Sequence, residues 1–227
     1  MDPGQEPTAH TSTGRAPVSR TGADRRALRR ERLLATATEL FATRGYATTS
    51  IERICSTAHV SIRAFYEEFE SREALLIALH DVVSQAGMEA AQGALRDPVN
   101  RDADTRARIT ALVRAYVGAV TADPAAARVA FVEVAGGGSA VEQHRVLWRS
   151  LWADFMTGEA KRAVGRGEVE RRDRTLAAVG IIGAVNELVA HWARNSATLP
   201  REPLADELIH HMLAVLGVGS ESQEVTR

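Results

Sequence analysis

Within Thr49 to Leu76 stand the side chains whose types and spacing best fit a chemical task. Ser61 suits a helix start because its hydroxyl accepts a backbone N–H, so Ile62, Arg63 and Tyr66 share one short helix behind it. Phe65 and Phe69, four apart, face a core, which turns Ile62 and Arg63 outward. A guanidinium placed there fits the O6/N7 edge of guanine, while Ile62 can meet a thymine methyl or fill space beside the preceding helix. Thr49 and Arg72 each stand near a helix start, where N–H groups and positive charge suit phosphate. The chemistry is recognition of double-stranded DNA by one base reader and several backbone anchors.

Catalytic chemistry finds no comparable set. His10, His59, His80, His144, His191, His210 and His211 show no metal-like grouping, and His210 and His211, adjacent in a helix, point apart. Gly136-Gly137-Gly138 lacks the lysine and hydroxyl residue of a phosphate loop. Cys55 reads as a small packing residue where two helices cross. No enzyme, cofactor or metal is expected.

The net charge of -1 argues against a nucleic-acid partner until its distribution is considered. Arg15, Arg20, Arg25, Arg26, Arg29, Arg30 and Arg32 face only Asp24 and Glu31 in that stretch, concentrating positive charge ahead of the reading unit. The run serves either as a phosphate footprint or as an ordinary solvated helix face. No apolar run approaches the roughly 20 residues a membrane span needs, and the N-terminus lacks the apolar centre of a secretory signal. The single cysteine cannot form an internal disulfide, so a cytoplasmic protein without a membrane partner is expected.

The elements positioning these residues are all helical. Met1 to Ala23, rich in Pro, Gly, Ser and Thr, reads as a disordered arm. Helix one begins at Asp24 and stops at Arg44-Gly45; Thr49 with Glu52 forms a capping box for a helix over Ser50 to Ala58. The recognition helix runs from Ile62 to Phe69, and Ser71 opens a long helix to Leu95, closed by Asp97-Pro98. Further helices span Thr105 to Ala122, Ala125 to Ala135, Ser139 to Gly165, Asp173 to Ser196 and Leu204 to Leu216. The fold class is therefore all-α with about nine helices: an N-terminal three-helix helix-turn-helix domain and a C-terminal helical domain. The expected boundaries are an arm over 1–23, a DNA-binding domain over 24–70, a ligand-binding and dimerisation domain over 71–218 and a flexible tail over 219–227.

The segment from Arg25 to Leu79 resembles the TetR family of transcriptional regulators. The likeness rests on Phe41 to Tyr46, Thr49, Ile51, Ile54, Val60-Ser61, Phe65-Tyr66, Phe69 and Ser71 to Leu76. It implies a ligand-responsive repressor and a phosphate contact from Tyr66. Two departures matter. His59 stands where the turn usually has glycine, although histidine tolerates positive φ better than most residues. Glu67 and Glu68 stand where neutral or basic residues are common; either they point sideways, or affinity is moderate and the arginine run compensates.

For the larger domain, a pocket for an unidentified small-molecule effector is expected from Tyr116, Phe131, Glu133, Trp148, Trp152, Phe155, Asn186 and Glu187, because polar groups on apolar helices are costly unless they converge on a partner. Carboxylates among tryptophans would suit a cationic or hydroxylated aromatic ligand. Ala177, Gly180, Gly183 and Ala184, with His191, give the penultimate helix a side that a second copy can approach, and the resemblance implies a homodimer there. Two heads on one palindrome reach successive major grooves, and effector-driven tilting of the helix starting at Ser71 would release them. The alternative is a helical small-molecule-binding or scaffolding protein whose head binds DNA weakly or not at all.

Overall fold

The computed structural model describes residues 22–218, which places the Arg15 and Arg20 end of the arginine run, nearly all of the expected arm and the tail outside the described residues. Among those described, ten α-helices and one 3-10 turn form an all-helical fold. They are α1 (Gly22–Arg44), α2 (Ile51–Ala58), α3 (Ile62–Tyr66), α4 (Arg72–Arg96), α5 (Pro98–Arg101), α6 (Thr105–Val120), α7 (Pro124–Phe131), the 3-10 turn (Glu133–Gly136), α8 (Gly138–Gly165), α9 (Thr175–Asn195) and α10 (Glu202–Leu216). The element beyond the expected nine is α5. Asp97 ends α4 and at once accepts the Val99 N–H, so proline punctuation here starts a new turn with Pro98 at its first position.

Two further boundaries differ from expectation. Ser50, not Thr49, caps α2: its hydroxyl accepts the Arg53 N–H at 3.3 Å, whereas Thr49 is fully buried and donates to the Gly45 carbonyl at 2.8 Å. Helix α3 stops at Tyr66 rather than Phe69. The Glu68 carbonyl there accepts from Arg30, and its carboxylate turns back towards α1. Helix α1 begins at Gly22, two residues before Asp24.

Two apolar cores organise the chain. The smaller joins Leu33, Ala37 and Phe41 of α1 to Ile54 of α2, Phe65 of α3 and Leu75, Leu76 and Leu79 of α4, and it also takes in Val129, Val134 and Val141. The head is thus packed onto α7 and the start of α8, beyond the expected boundary at residue 70. The larger core is built around the crossing of α4 and α6, where Gly87 is required: a Cβ there would lie 2.8 Å from Val120 Cγ1 and 2.9 Å from Tyr116 Cε2. Arg108, buried in α6, donates to both carboxylate oxygens of Glu159 in α8 and to the Asn100 and Arg101 carbonyls, stapling three elements with the bidentate geometry guanidinium favours.

Helix α9 is long and apolar enough to cross a membrane by length and composition, with a mean hydropathy of 1.5 over its best window, contrary to the expectation from apolar runs. It packs against α7, α8 and α10 and buries Ala178, Ile181, Val189, Ala190, Trp192 and Ala193. Core packing accounts for that side of the helix. Leu176, 85% exposed, and Val179, 59% exposed, lie on the other.

Candidate nucleic-acid interface and effector cavity

The reading head is built by caps and one tight turn. Ser61 accepts the Ala64 N–H at 3.2 Å and starts α3, while His59 holds the turn from α2 at φ 54°, ψ 44°, in the left-handed region. Its backbone N–H lies 3.4 Å from the Ser56 carbonyl, and the next, of Val60, donates to Cys55 at 2.9 Å, so the terminal carbonyls of α2 are satisfied without glycine. Phe65 and Phe69 are buried with their ring centres 5.8 Å apart. Ile62 and Tyr66 are exposed, and the Arg63 side chain is 91% exposed with Glu67 3.6 Å away. Ile62 and Arg63 therefore lie on the outer face, as their spacing predicted, and Tyr66 is exposed beside them.

Thr49 and Arg72 do not. Thr49 is sealed inside the turn, and Arg72 donates to its carbonyl at 2.8 Å and to that of Tyr46 at 3.3 Å, with the guanidinium 4.3 Å above the Tyr46 ring. Both act as braces: the Thr49 hydroxyl is turned inward, and Arg72, half-buried, spends one guanidinium nitrogen on the loop. The signal missing from the sequence is the pairing of Arg72 with a loop 23 residues earlier. Ser50, the true cap of α2, is exposed at the helix end where Thr49 was expected.

Glu68 resolves the acid problem. Its side chain is only 1% exposed and accepts from Arg29 at 2.6 Å and from Arg26 at 3.1 Å. Burial opposes its charge, yet Arg29 and Arg26 outweigh burial and hold the carboxyl below its ordinary value of 4.5. Glu67 pairs with Arg29 at 3.2 Å as well as with Arg63. Part of the arginine run thus fastens α1 to the segment after α3, and Arg30 also lies 4.4 Å over the Phe69 ring.

In the larger domain a cavity of about 80 Å³ lies between α4, α6, α7, α8, α9 and α10. Tyr116, Phe131, Trp148, Trp152 and Asn186 line it, as expected. Tyr116 meets Trp152 edge-on at 5.1 Å, and burial pushes its phenol well above the ordinary range. Phe155 packs on Trp152 at 5.7 Å but does not line the cavity. Glu133 and Glu187 do not line it either. Glu133 accepts the Tyr46 N–H at 2.9 Å and pairs with Arg128 at 3.4 Å, while Glu187 is exposed and pairs with Arg194 at 3.3 Å. The charged groups on the wall are Arg145 and Arg149, both paired with Glu142. That reverses the polarity expected of the ligand, since the wall carries guanidiniums and no carboxylate.

Sequence reasoning also missed His80 and Ser84 on the cavity wall, and with them a convergence of His80, Asp81 and His144 that corrects the expectation of no metal-like grouping. Residues 80 and 144 are 64 positions apart, so no local spacing reveals it. Burial, then His144 and Arg145 against the opposing charge of Asp81, bring the His80 pKa down to about 4, leaving a neutral imidazole near pH 7. On α9, Gly180, Gly183 and His191 lie on the exposed side, and a Cβ at either glycine would meet nothing within 4 Å; Ala177 and Ala184 are partly buried.

A three-helix head with an outward recognition helix, packed on a helical domain with its own cavity, defines a helix-turn-helix DNA-binding regulator. The model of bacterial regulatory proteins of the tetR family matches residues 33–79, and that of the tetracyclin repressor-like C-terminal domain matches residues 102–216. The HTH-type transcriptional regulator EthR of Mycobacterium tuberculosis is 31% identical over 192 residues, covering 78% of this chain and 82% of that protein. The chain belongs to the TetR family of transcriptional regulators. Among solved structures, FadR of Bacillus subtilis in complex with stearoyl-CoA superposes with a TM-score of 0.68 at 19% identity, covering 83% of this chain and 99% of the other. AibR in complex with isovaleryl coenzyme A and operator DNA gives 0.62 at 21% identity, covering 80% and 96%.

Proposed function

We propose that the protein is a repressor that binds a palindromic operator as a homodimer and releases it when an apolar effector carrying an anionic group enters the cavity. The head reads one base position through Arg63, with Ile62 at a thymine methyl, Tyr66 on a phosphate, and Ser61 and Ser50 at the helix starts nearby. Exposed Gly180 and Gly183 with Leu176 and Val179 on α9 form the face that a second copy covers.

The observation carrying the effector reading is the shared wall. Phe131 lines the cavity, and Glu133, two residues on, holds the Tyr46 N–H of the head; His80 and Ser84 line it from α4, whose Arg72 braces the Thr49 loop. A cavity of about 80 Å³ is smaller than the roughly 300–1,000 Å³ of drug-sized sites, so a larger effector must part these walls. Parting them shifts α4 and α7, and with them the spacing of two heads. The apolar lining with Arg145 and Arg149 selects an acyl chain with a carboxylate or phosphate; FadR and AibR, of like fold, hold acyl-coenzyme A molecules.

The test is fluorescence anisotropy with duplexes from the intergenic DNA beside the gene, over a salt series, with long-chain fatty acids and acyl-coenzyme A added. A sequence-specific, salt-sensitive complex that dissociates with one of these probes is expected. Absence of any specific complex at moderate salt sinks the repressor reading in favour of a binding protein with a lost head. A complex untouched by every acyl probe sinks the effector class alone.

A further inference from the structure

Beside the cavity, α4 and α8 bring two imidazoles and a carboxylate together: His80 and Asp81 from one helix and His144 from the other. One ligand atom from each lies within 4.8 Å of the others. Nε2 of His144 is 2.8 Å from Oδ1 of Asp81, but the approach is off the axis an N–H···O bond requires, so this buried nitrogen has no hydrogen-bond partner among the described residues. Two ligands of one zinc ion, each about 2.1 Å from it, stand roughly 3 to 3.4 Å apart, which is close to this separation. The three ligand atoms, all within 4.8 Å of one another, can thus converge on one ion with small side-chain shifts.

The surroundings fit the same purpose. Trp148 Nε1 donates to Asp81 Oδ1 at 2.8 Å and fixes the carboxylate, and the Ser84 hydroxyl lies beside the His80 ring, 3.3 Å from Nδ1 and 3.5 Å from Nε2. Such outer contacts orient metal ligands. Arg145, the nearest cation on the wall, is paired with Glu142 at 2.7 Å. Two imidazoles with one carboxylate suit a borderline divalent transition metal and not calcium or magnesium, which take oxygen ligands.

We infer that His80, Asp81 and His144 form a binding site for a divalent transition-metal ion of the zinc class, bridging α4 to α8. His80 and Trp148 also line the cavity, which places the site at the cavity wall. Zinc uptake here requires neither a particular effector in the cavity nor a head that binds DNA.

The experiment is zinc titration of the chelator-stripped full chain by calorimetry, with thermal melts at zero and one equivalent. One zinc per chain, with a rise in melting temperature, is expected. Asp81→Asn, which keeps an oxygen for Trp148, and His144→Ala should each abolish the equivalent and the rise, while His210→Ala with His211→Ala changes neither. Trp148→Phe should weaken binding by about 10- to 100-fold, as loss of an outer contact does. A wild-type chain that takes up no zinc overturns the inference. So does an equivalent that survives in the folded Asp81→Asn protein.

Discussion

Arg63 and Glu68, five residues apart, carry opposite kinds of work. Arg63 projects into solvent and is available to a base edge, whereas Glu68 is drawn inward by Arg26 and Arg29. Replacement of Arg63 by alanine should cost about 1–3 kcal/mol of operator affinity and relax preference at one base pair, read by binding-site selection. Glu68 instead contributes to stability. Its carboxyl is depressed in the folded state, so the unfolded chain binds more protons once the pH drops to the ordinary value of 4.5. The contribution is complete above 4.5 and disappears as pH falls through the lower folded value. Melts of Glu68→Gln should therefore lose less between about pH 5 and about pH 3 than wild type does, the difference isolating this group from the other depressed carboxylates. At this scale the sequence was legible where a side chain's role is local. Ser61, Phe65 and Arg63 needed only their neighbours; Thr49 was misread because its hydroxyl turns back to the Gly45 carbonyl four residues earlier, and Arg72 and Glu133 because their partners are decided by tertiary packing, up to 87 residues away for Glu133.

Among the elements, α4 is the part both domains share. Its start braces the head through Arg72, its middle lines the cavity through His80 and Ser84, and at Gly87 it touches α6. Gly87→Ala forces a methyl against Val120 and Tyr116, and overpacking of this kind typically costs about 1–3 kcal/mol, measurable by chemical denaturation. Because Tyr116 is also a cavity wall, the same variant should alter effector affinity. Helical periodicity and proline punctuation made the course of α4 readable almost to the residue. Its close approach to α6 at Gly87 was not, since a glycine within a helix looks the same in sequence whether a neighbour approaches or not. The cavity shows the same division: an aromatic stripe at helical spacing announces Trp148 and Trp152, while the ends of Arg145 and Arg149 are set by Glu142 and by how α8 lies on α4.

At the scale of the whole molecule, the proposed second copy sets how two heads meet one operator. Val179 lies 59% exposed on the side of α9 that carries Gly180 and Gly183. Val179→Asp would place an unpaired carboxylate in the proposed dimer face, and the variant should elute as a monomer and lose operator binding while its helical signal is retained. A variant that stays dimeric would move the interface elsewhere.

Helix α9 also has the composition of a membrane span, with one side spent on the core and Leu176 and Val179 bare on the other. A partner that covers such a face binds the folded state and not the unfolded chain, so mass action ties stability to copy number. Dilution should lower the melting temperature of the wild-type protein and leave that of Val179→Asp unmoved. In a cell this would make the abundance of the regulator a determinant of its own lifetime: sparse, newly made chains would be the ones most open to proteolysis, and the population would persist only above a threshold concentration.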